Sequence, residues 1–403
     1  MREAYIYDGI RTPIGKFSGS LSYVRPDDLA AMTIKKLLEK HSIIDPNEID
    51  DVILGCANQA GEDNRNIARM SLLLAGLPFS VPGETINRLC ASGMSAVINA
   101  FRAIISNDAD LILAGGVESM TRAPYVLAKS ETPFSRDVKI YDTSIGWRFI
   151  NPEMQRMYGT DSMGETAENV AEKYNISRES QDIFAYNSQR KAAIAQENGN
   201  FKNEIFSVEI PQKKGENIIF DKDEFVKSNT TIETLSKLKP AFKPNGTVTA
   251  GNSSGINDGA CVLLVGSEEI SKKYNLQPMT RIVSSAVVGV EPRIMGIGPV
   301  EASLKALKKA NLKFDDLDII ELNEAFAAQS LACIREWGLS DDDERINPYG
   351  GAIALGHPLG MSGARLITTA SYQLLEKRKK YALCTMCIGV GQGYAVILEN
   401  VRI

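Results

Sequence analysis

The two ends of the chain repeat one another. The matching segments are 49–56 with 317–324 (IDDVILGC, LDIIELNE), 93–96 with 360–363 (GMSA, GMSG) and 111–116 with 383–391 (LILAGG, LCTMCIGVG). In each half a short apolar strand pattern precedes a helical pattern, and a glycine-rich turn then opens a second helix. A duplicated α/β unit of this kind predicts two packed halves with pseudo-twofold symmetry, in which parallel sheets lie between helical layers.

A more polar segment separates the halves and divides the chain into three predicted domains. An N-terminal half covers residues 1–120 and resumes at 248–273, an inserted loop domain covers 121–247, and a C-terminal half covers 274–403. Long polar insertions between α/β units more often form lids or substrate-binding subdomains than linkers.

The loop domain contains two predicted helices. The first covers Ser162–Tyr174 and opens with SMGE, a capping box in which Ser162 and Glu165 satisfy each other's backbone donors. The second covers Ser177–Asn198 and ends at Gly199.

Composition excludes several classes of function. The 403 residues are 44% hydrophobic, which is ample for a core, and the net charge of −5 gives no basic surface for nucleic acid. The first residues lack the apolar core of a signal peptide, and no apolar run is long enough to span a bilayer. The six cysteines are scattered, as is typical of a reduced protein. We therefore expect a cytoplasmic protein that does not insert into a membrane.

Cys90 is a candidate nucleophile. It follows a predicted strand over 85–89 and precedes apolar residues at helical spacing, so it lies on a strand-to-helix turn. Free backbone N–H groups and the helix dipole at such a turn favour a thiolate. The alternative is a small buried residue, but the small residues ASG at 91–93 favour the nucleophile.

His357 is the candidate base for this thiol. The only other histidine, His41, lies at a predicted helix end, whereas His357 lies in the glycine-rich segment 347–365. In the repeat this segment is the counterpart of the Cys90 turn, so pseudo-twofold symmetry brings the two turns towards a common site. A Cys–His pair of this kind supports covalent catalysis.

The CTMC segment at 384–387 supplies a second candidate thiol. A zinc site needs two further ligands that the chain does not offer nearby, and a redox pair should head a helix rather than lie in a strand pattern. We therefore predict no metal site. On a strand, Cys384 and Cys387 point to opposite faces, which leaves Cys387, beside the glycine turn, as a single functional thiol.

Asn323 lies where a predicted strand gives way to a helix, in DIIELNEAFAAQ at 318–329. It can be the N-cap of that helix. It can also hold a water or a carbonyl oxygen as an oxyanion donor.

Six motifs taken together resemble the thiolase family of acetyl-CoA C-acyltransferases. They are NRLCASG, GGVESM, GNSSGINDGA, NEAFA, GGAIALGHPLGMSGAR and CTMCIGVGQG, and they occur in the family's order over nearly the whole chain. The segments SIGWRFINPEMQRMYGTDSM and ALCTMCIGVGQG are similar to those of the degradative 3-oxoacyl-CoA thiolases, the β-ketoadipyl-CoA group among them.

The resemblance implies a five-layered α-β-α-β-α sandwich of duplicated α/β halves with the loop domain over the site. It also implies ping-pong thiolysis of a 3-oxoacyl-CoA, in which Cys90 carries the acyl group, His357 takes its proton and Cys387 exchanges a proton with the acetyl-CoA enolate. CoA, acetyl-CoA and 3-oxoacyl-CoA are then substrates, and no separate cofactor is expected. A homodimer or homotetramer is expected as well.

The resemblance further assigns two oxyanion holes and a set of CoA contacts. One hole consists of His357 with a water held by Asn323, and the other of the backbone N–H groups of Cys90 and Gly389. The residues implied in substrate or CoA binding are Met163, Lys227, Ser254, Gly255, Ala325 and Phe326.

The chain departs from the biosynthetic acetoacetyl-CoA thiolases at two positions. Ser162 stands where they have histidine, which argues against that subgroup. Lys227 stands where they have arginine, and lysine offers a point charge instead of the planar fork of arginine.

Met361 replaces the small residue common directly after the GHPLG segment and is predicted to narrow the acyl pocket.

Three alternatives remain at this stage. The first is a biosynthetic acetyl-CoA acetyltransferase. The second is a decarboxylating ketoacyl synthase, although that enzyme needs another histidine in the C-terminal half. The third is a non-catalytic lipid carrier, although such a protein should have lost Cys90, His357 or Cys387.

A dicarboxylic substrate would need a cation at the far end of the acyl pocket. The loop domain offers Arg122, Lys129, Arg136, Lys139, Arg148 and Arg156.

Overall fold

The computed structural model describes residues 2–212 and 215–403. The strands are β1 (Ala4–Arg11), β2 (Gly15–Lys16), β3 (Asp51–Gly55), β4 (Gly83–Ile86), β5 (Leu111–Ser119), β6 (Tyr125–Leu127), β7 (Ile140–Asp142), β8 (Val208–Ile210), β9 (Ile218–Phe220), β10 (Asn257–Ser267), β11 (Thr280–Gly289), β12 (Ile319–Leu322), β13 (Tyr381–Ile388) and β14 (Gln392–Asn400). The helices are α1 (Pro26–Lys40), α2 (Ile67–Leu74), α3 (Ser92–Ile105), α4 (Pro152–Tyr158), α5 (Met163–Lys173), α6 (Arg178–Glu197), α7 (Ile232–Ser236), α8 (Glu268–Tyr274), α9 (Gly298–Ala310), α10 (Ala327–Glu336), α11 (Ala352–Leu355) and α12 (Leu359–Glu376).

The predicted duplication is present in the order of the strands. One half of the sheet runs β4-β3-β5-β10-β1 and the other runs β12-β13-β14-β11. The two halves join where Tyr5 and Ile6 of β1 pair with Arg281 and Thr280 of β11, so the strands form one ten-stranded sheet.

The prediction of parallel sheets is wrong for most of this sheet. β3 pairs in parallel with β4 and β5, and β12 with β13, but the other pairings are antiparallel. In the C-terminal half the reason is local. A short turn after Ile388 returns the chain from β13 directly into β14, and two strands joined by such a hairpin must be antiparallel.

The layers of the sandwich follow from which helix covers which half of the sheet. α3 and α12 pack on each other. α12 contacts strands of both halves, and α3 contacts strands of the N-terminal half. α1 and α2 cover the outer side of the N-terminal half, and α9 covers the outer side of the C-terminal half. Small and apolar residues are buried around the whole circumference of α12 from Gly360 to Ala370, as a central helix requires. The α/β sandwich therefore has five layers, as expected.

The two helices predicted in the loop domain are confirmed. α5 begins after Ser162, whose side chain forms the expected capping box with Glu165, and α6 lies between Ser177 and Asn198. Gly199 follows with a φ of 70°, a left-handed conformation that suits glycine. Within the described ranges, the structure has no helix with the length and apolar character needed to cross a membrane.

Candidate active site

Cys90 lies in a tight turn between strand and helix. β4 ends at Ile86, a 3-10 turn covers Leu89–Ala91, and α3 begins at Ser92. The thiol is buried, and the backbone N–H of Gly389, from the turn between β13 and β14, donates a hydrogen bond to its sulfur. The structure thus brings together two predicted site residues that are far apart in sequence.

Burial, not the helix N-terminus, dominates the ionisation of Cys90. It raises the pKa of the thiol to about 11, and the nearby carboxyl of Glu118 acts in the same direction, whereas the N–H groups of Gly389 and Cys90 itself act against them. The predicted stabilisation of a thiolate is therefore outweighed, and Cys90 is a protonated thiol at neutral pH.

His357 is buried, and its hydrogen bonds indicate one tautomer. Nδ1 lies 2.6 Å from the hydroxyl of Ser362, which itself donates to the carbonyl of Pro358. Since that hydroxyl has one proton, Nδ1 must be the donor to it, and Nε2 is left as the acceptor. Nε2 faces the amide nitrogen of Asn323 at 3.3 Å. Burial, reinforced by the charge of Arg365, lowers the pKa of His357 to about 3, so the ring is neutral.

Asn323 is not the N-cap of the following helix. α10 begins at Ala327 with Phe326 at the N-cap, which removes that alternative. The side-chain Oδ1 of Asn323 is buried and has no hydrogen-bond partner among the described residues. Leaving such an oxygen unpaired costs free energy, so it fits a polar ligand or a held water.

The two thiols of the CTMC segment face opposite sides of β13, as predicted. Cys384 packs in the central layer, 3.5 Å from the carbonyl oxygen of Leu366 in α12, whereas Cys387 belongs to the apolar cluster on the outer side. Burial, followed by the proximity of Cys90, raises the pKa of Cys387 well above its ordinary value, so this thiol is protonated.

The Cys90 turn and the His357 loop meet through glycines. A Cβ on Gly93, at the start of α3, would lie 2.5 Å from the carbonyl oxygen of Gly360, at the start of α12. Only glycine permits this approach. Even so, within the described ranges Cys90 and His357 share no hydrogen bond, because both ring nitrogens of His357 have other partners.

Sequence reasoning missed two residues that organise the site. Ser362 lies in the first turns of α12, five residues after His357, which itself precedes the helix, so no regular helical spacing connects the two. Glu118, in the GGVESM motif, accepts hydrogen bonds from the backbone N–H groups of Ala57, Asn58 and Gly360, and so ties the turn after β3 to the start of α12.

A cavity of about 220 Å³ opens beside Cys90 and Gly389. Its other lining residues are Ala57, Asn58, Leu89, Glu118, Met120, Thr143, Ser144, Ile145, Gly146, Trp147, Arg148, Met163, Leu359 and Val390. The prediction that Met361 narrows this pocket is wrong, because its sulfur is buried against Gly259 and the neighbouring Leu359 lines the cavity instead.

The other predicted CoA-binding residues lie together at a neighbouring site. The N–H of Ser254 donates to the carbonyl of Ala325 at 3.0 Å, and the ring of Phe326 packs edge-on against Phe242. Phe242 also covers Gly164, the residue after Met163, which lines the Cys90 cavity.

Lys227 is connected to the other predicted CoA-binding residues through the aromatic ring of Phe225. Its ammonium lies 4.9 Å from the ring centre of Phe225, and that ring lies against Gly255. Lys227 and Phe225 line a separate cavity together with Gly251. The predicted contacts therefore form a path from the Cys90 cavity to an exposed lysine.

The fold and the site define an enzyme that transfers acyl groups. The Thiolase, N-terminal domain model matches residues 4–269, and the Thiolase, C-terminal domain model matches residues 276–400. The chain belongs to the thiolase family and catalyses thiolytic cleavage of a 3-oxoacyl-CoA, of the degradative type. The substrates of this reaction are acyl-CoAs.

Relatives and solved structures agree with this assignment. The chain is 59% identical to the β-ketoadipyl-CoA thiolase of Acinetobacter baylyi over 401 residues, which cover 100% of both chains. It is 58% identical to the 3-oxoadipyl-CoA/3-oxo-5,6-dehydrosuberyl-CoA thiolase of Escherichia coli, again over 100% of both chains. The crystal structure of human mitochondrial 3-ketoacyl-CoA thiolase is similar with a TM-score of 0.92 and 40% identity, over 100% of this chain and 99% of that one.

Proposed function

We propose that this thiolase cleaves 3-oxoadipyl-CoA, or a 3-oxoacyl-CoA that likewise ends in a carboxylate, to acetyl-CoA and the shortened acyl-CoA. The names of both relatives support this substrate class. The observation that carries the mechanism is the Cys90 thiol at the wall of a cavity, in contact with the N–H of Gly389 and beside the protonated Cys387.

In the first step the sulfur of Cys90 attacks the C3 carbonyl carbon while its proton passes to Nε2 of His357. Both groups are neutral beforehand, since burial raises the pKa of Cys90 to about 11 and lowers that of His357 to about 3. Proton transfer therefore accompanies formation of the C–S bond. Because no hydrogen bond joins the two side chains in the described residues, bound substrate or a water completes the path between them.

In the second step the bond between C2 and C3 breaks and leaves its electron pair on C2. The thiol of Cys387 donates its proton to this carbanion, which releases acetyl-CoA. A pKa held well above its ordinary value keeps that proton in place until the carbanion forms. In the reverse condensation the same sulfur removes the proton from C2.

Two sets of donors stabilise the negative oxygens that form in these steps. The N–H groups of Cys90 and Gly389 form one set. The other consists of Nε2 of His357, which carries a proton after the first step, and a water held by Asn323, whose side chain meets that of His357 at 3.3 Å. Removing one donor of such a site costs about 2.7–4 kcal/mol of transition-state stabilisation.

Before the last step the proton that His357 took passes to the Cys387 thiolate, which restores both groups. The thiol of free CoA then attacks the thioester carbon while His357 takes its proton. The C–S bond to Cys90 breaks, the shortened acyl-CoA leaves, and His357 returns the proton to the sulfur of Cys90. The contacts from Met163 through Phe326 to Ser254 suit the pantetheine arm, and the ammonium of Lys227 suits a phosphate. CoA and its thioesters are substrates in this scheme, and no other cofactor takes part.

We also propose a cytoplasmic homodimer or homotetramer. The side chains of Phe79 and Tyr23, both in the N-terminal half, are 87% and 84% exposed, and large exposed apolar side chains favour association. Sedimentation at micromolar concentration should give a dimer or tetramer, and a stable monomer would contradict the proposal.

The covalent step is tested by mixing the protein with acetyl-CoA and mapping the acetylated peptides by mass spectrometry. We expect one acetyl group on Cys90, and its loss when free CoA is added. Cys387→Ala should retain this acetylation but lose thiolysis, since only the second step needs its proton, whereas Cys384→Ala should retain both. A folded, CoA-binding protein without acetyl on Cys90 would overturn the mechanism.

A further inference from the structure

Arg148 places a positive charge in the wall of the Cys90 cavity. The side chain is half-buried, and its Nη2 donates one hydrogen bond, to Oδ1 of Asn58 at 3.2 Å. Much of the remaining wall is apolar, from Met120, Ile145, Trp147, Met163, Leu359 and Val390. A guanidinium has five N–H donors in a planar fork, so most of its donors are available to a ligand.

The other five cations considered for this role lie elsewhere. Arg122 is paired with Glu62 at 2.6 Å, and Arg156 is exposed and paired with Glu153 at 2.7 Å. Lys129, Arg136 and Lys139 are exposed. Of the six, Arg148 is the one that lines the cavity in the part of the chain that the structure describes.

No carboxylate within residues 2–212 and 215–403 forms an ion pair or hydrogen bond with Arg148. Glu118 shares the cavity wall, but backbone N–H groups of Ala57, Asn58 and Gly360 occupy its oxygens. Burial also raises the pKa of Glu118 to about 7, so a fraction of this group is uncharged at neutral pH. Among the described residues the charge of Arg148 therefore lacks an anionic partner, and a half-buried charge without one is unfavourable.

Asn58 holds the guanidinium in place. The Nδ2 of Asn58 donates to the carbonyl and the hydroxyl of Thr143, both at 3.2 Å, which leaves its Oδ1 for Arg148. A fixed fork loses less entropy when it binds a carboxylate than a mobile side chain does.

We propose that Arg148 binds the terminal carboxylate of the acyl chain and thereby sets the preference for dicarboxylic over monocarboxylic 3-oxoacyl-CoA. The inference rests on the proposed function. In the acyl-Cys90 intermediate from 3-oxoadipyl-CoA, two methylene groups separate the thioester carbon from the carboxylate. A cavity of about 220 Å³ is below the usual range for ligand pockets and suits so short a chain.

The test compares thiolysis of 3-oxoadipyl-CoA and 3-oxohexanoyl-CoA, which have acyl chains of equal length and differ in the terminal carboxylate. The variants are Arg148→Met, which removes the charge at similar length, and Arg148→Lys, which keeps the charge without the fork. Arg156→Met is the matched control. Activity on 3-oxohexanoyl-CoA reports whether each variant is folded and catalytically intact.

We expect the wild type and Arg156→Met to prefer 3-oxoadipyl-CoA. In Arg148→Met the kcat/KM for 3-oxoadipyl-CoA should fall about 10- to 100-fold, the range of a hydrogen bond to a charged group, whereas the kcat/KM for 3-oxohexanoyl-CoA should change little. The kcat/KM of Arg148→Lys for 3-oxoadipyl-CoA should lie between those of the wild type and Arg148→Met. A wild type without preference would overturn the proposed dicarboxylic substrate. A wild-type preference that persists in Arg148→Met would overturn only the role of Arg148.

Discussion

A single hydroxyl determines which nitrogen of His357 can act as the base. The hydroxyl of Ser362 donates to the carbonyl of Pro358, so it can only accept from Nδ1 of His357. Because a histidine and its orienting partner act as a unit, the loss of Ser362 should affect the reaction more than the fold.

We predict that Ser362→Ala lowers kcat about 10- to 100-fold, less than the full contribution of a general base. Ser371→Ala is the matched control, since Ser371 lies on the same helix, is buried and makes the same kind of bond to a carbonyl four residues back, that of Ile367. Both variants should lose about 1 kcal/mol of stability. Equal kcat values for the two variants, measured by thiolysis, would contradict the role of Ser362.

The ionisation of Cys90 leads to a pH prediction for the free enzyme. With a pKa of about 11, the thiolate fraction rises about tenfold per pH unit at neutral and mildly alkaline pH. The rate of Cys90 alkylation by iodoacetamide should therefore increase without a plateau between about pH 7 and 9. A plateau near neutral pH, observed by peptide mapping at a series of pH values, would show that the thiol ionises far more easily.

At the scale of elements, the junction of α3 and α12 holds the two halves of the site together. The close approach of Gly93 to the carbonyl of Gly360 leaves no room for a methyl group. We predict that Gly93→Ala lowers the free energy of unfolding by about 1–3 kcal/mol and slows acetylation of Cys90, because the helix starts must move apart.

Gly289→Ala is the control for this prediction. A Cβ at Gly289 would meet nothing nearer than the carbonyl oxygen of Gly391, at 4.0 Å, so its stability should change by less than about 0.5 kcal/mol. Denaturant unfolding of both variants makes the comparison. Equal stability of Gly93→Ala and wild type would mean that the junction can relax.

At the scale of the whole molecule, α12 belongs to the C-terminal half in sequence but to both halves in packing. It contacts β13 of its own half and also β5, β10 and α3 of the other. Its surface is buried over most of its length, so neither half has a complete core of its own.

We therefore predict that residues 276–400, expressed alone, aggregate or remain unfolded. Co-expression with residues 1–275 should restore a folded complex, because α12 then regains its partners. Circular dichroism and denaturant unfolding provide the measurement, with the intact chain as reference. Cooperative unfolding of the isolated C-terminal segment as a monomer would contradict this view of the core.

Local sequence patterns were sufficient for some features of this protein. The capping box of α5, the turn at Cys90 and the opposed thiols on β13 each depend on residues within a few positions of one another, and the duplication is visible as a similarity between short segments of the two halves. Such features follow from periodicity and capping chemistry, which the sequence determines by itself. The family's motifs added the reaction class.

Only the tertiary structure decided the features that depend on distant groups. The antiparallel pairing of most strands, the raised pKa of Cys90, the tie between Glu118 and Gly360, and the place of Arg148 in the cavity wall each require neighbours from another part of the chain. Burial and pairing are properties of the packed chain, so the sequence alone could name Arg148 as one of six cations but could not select it.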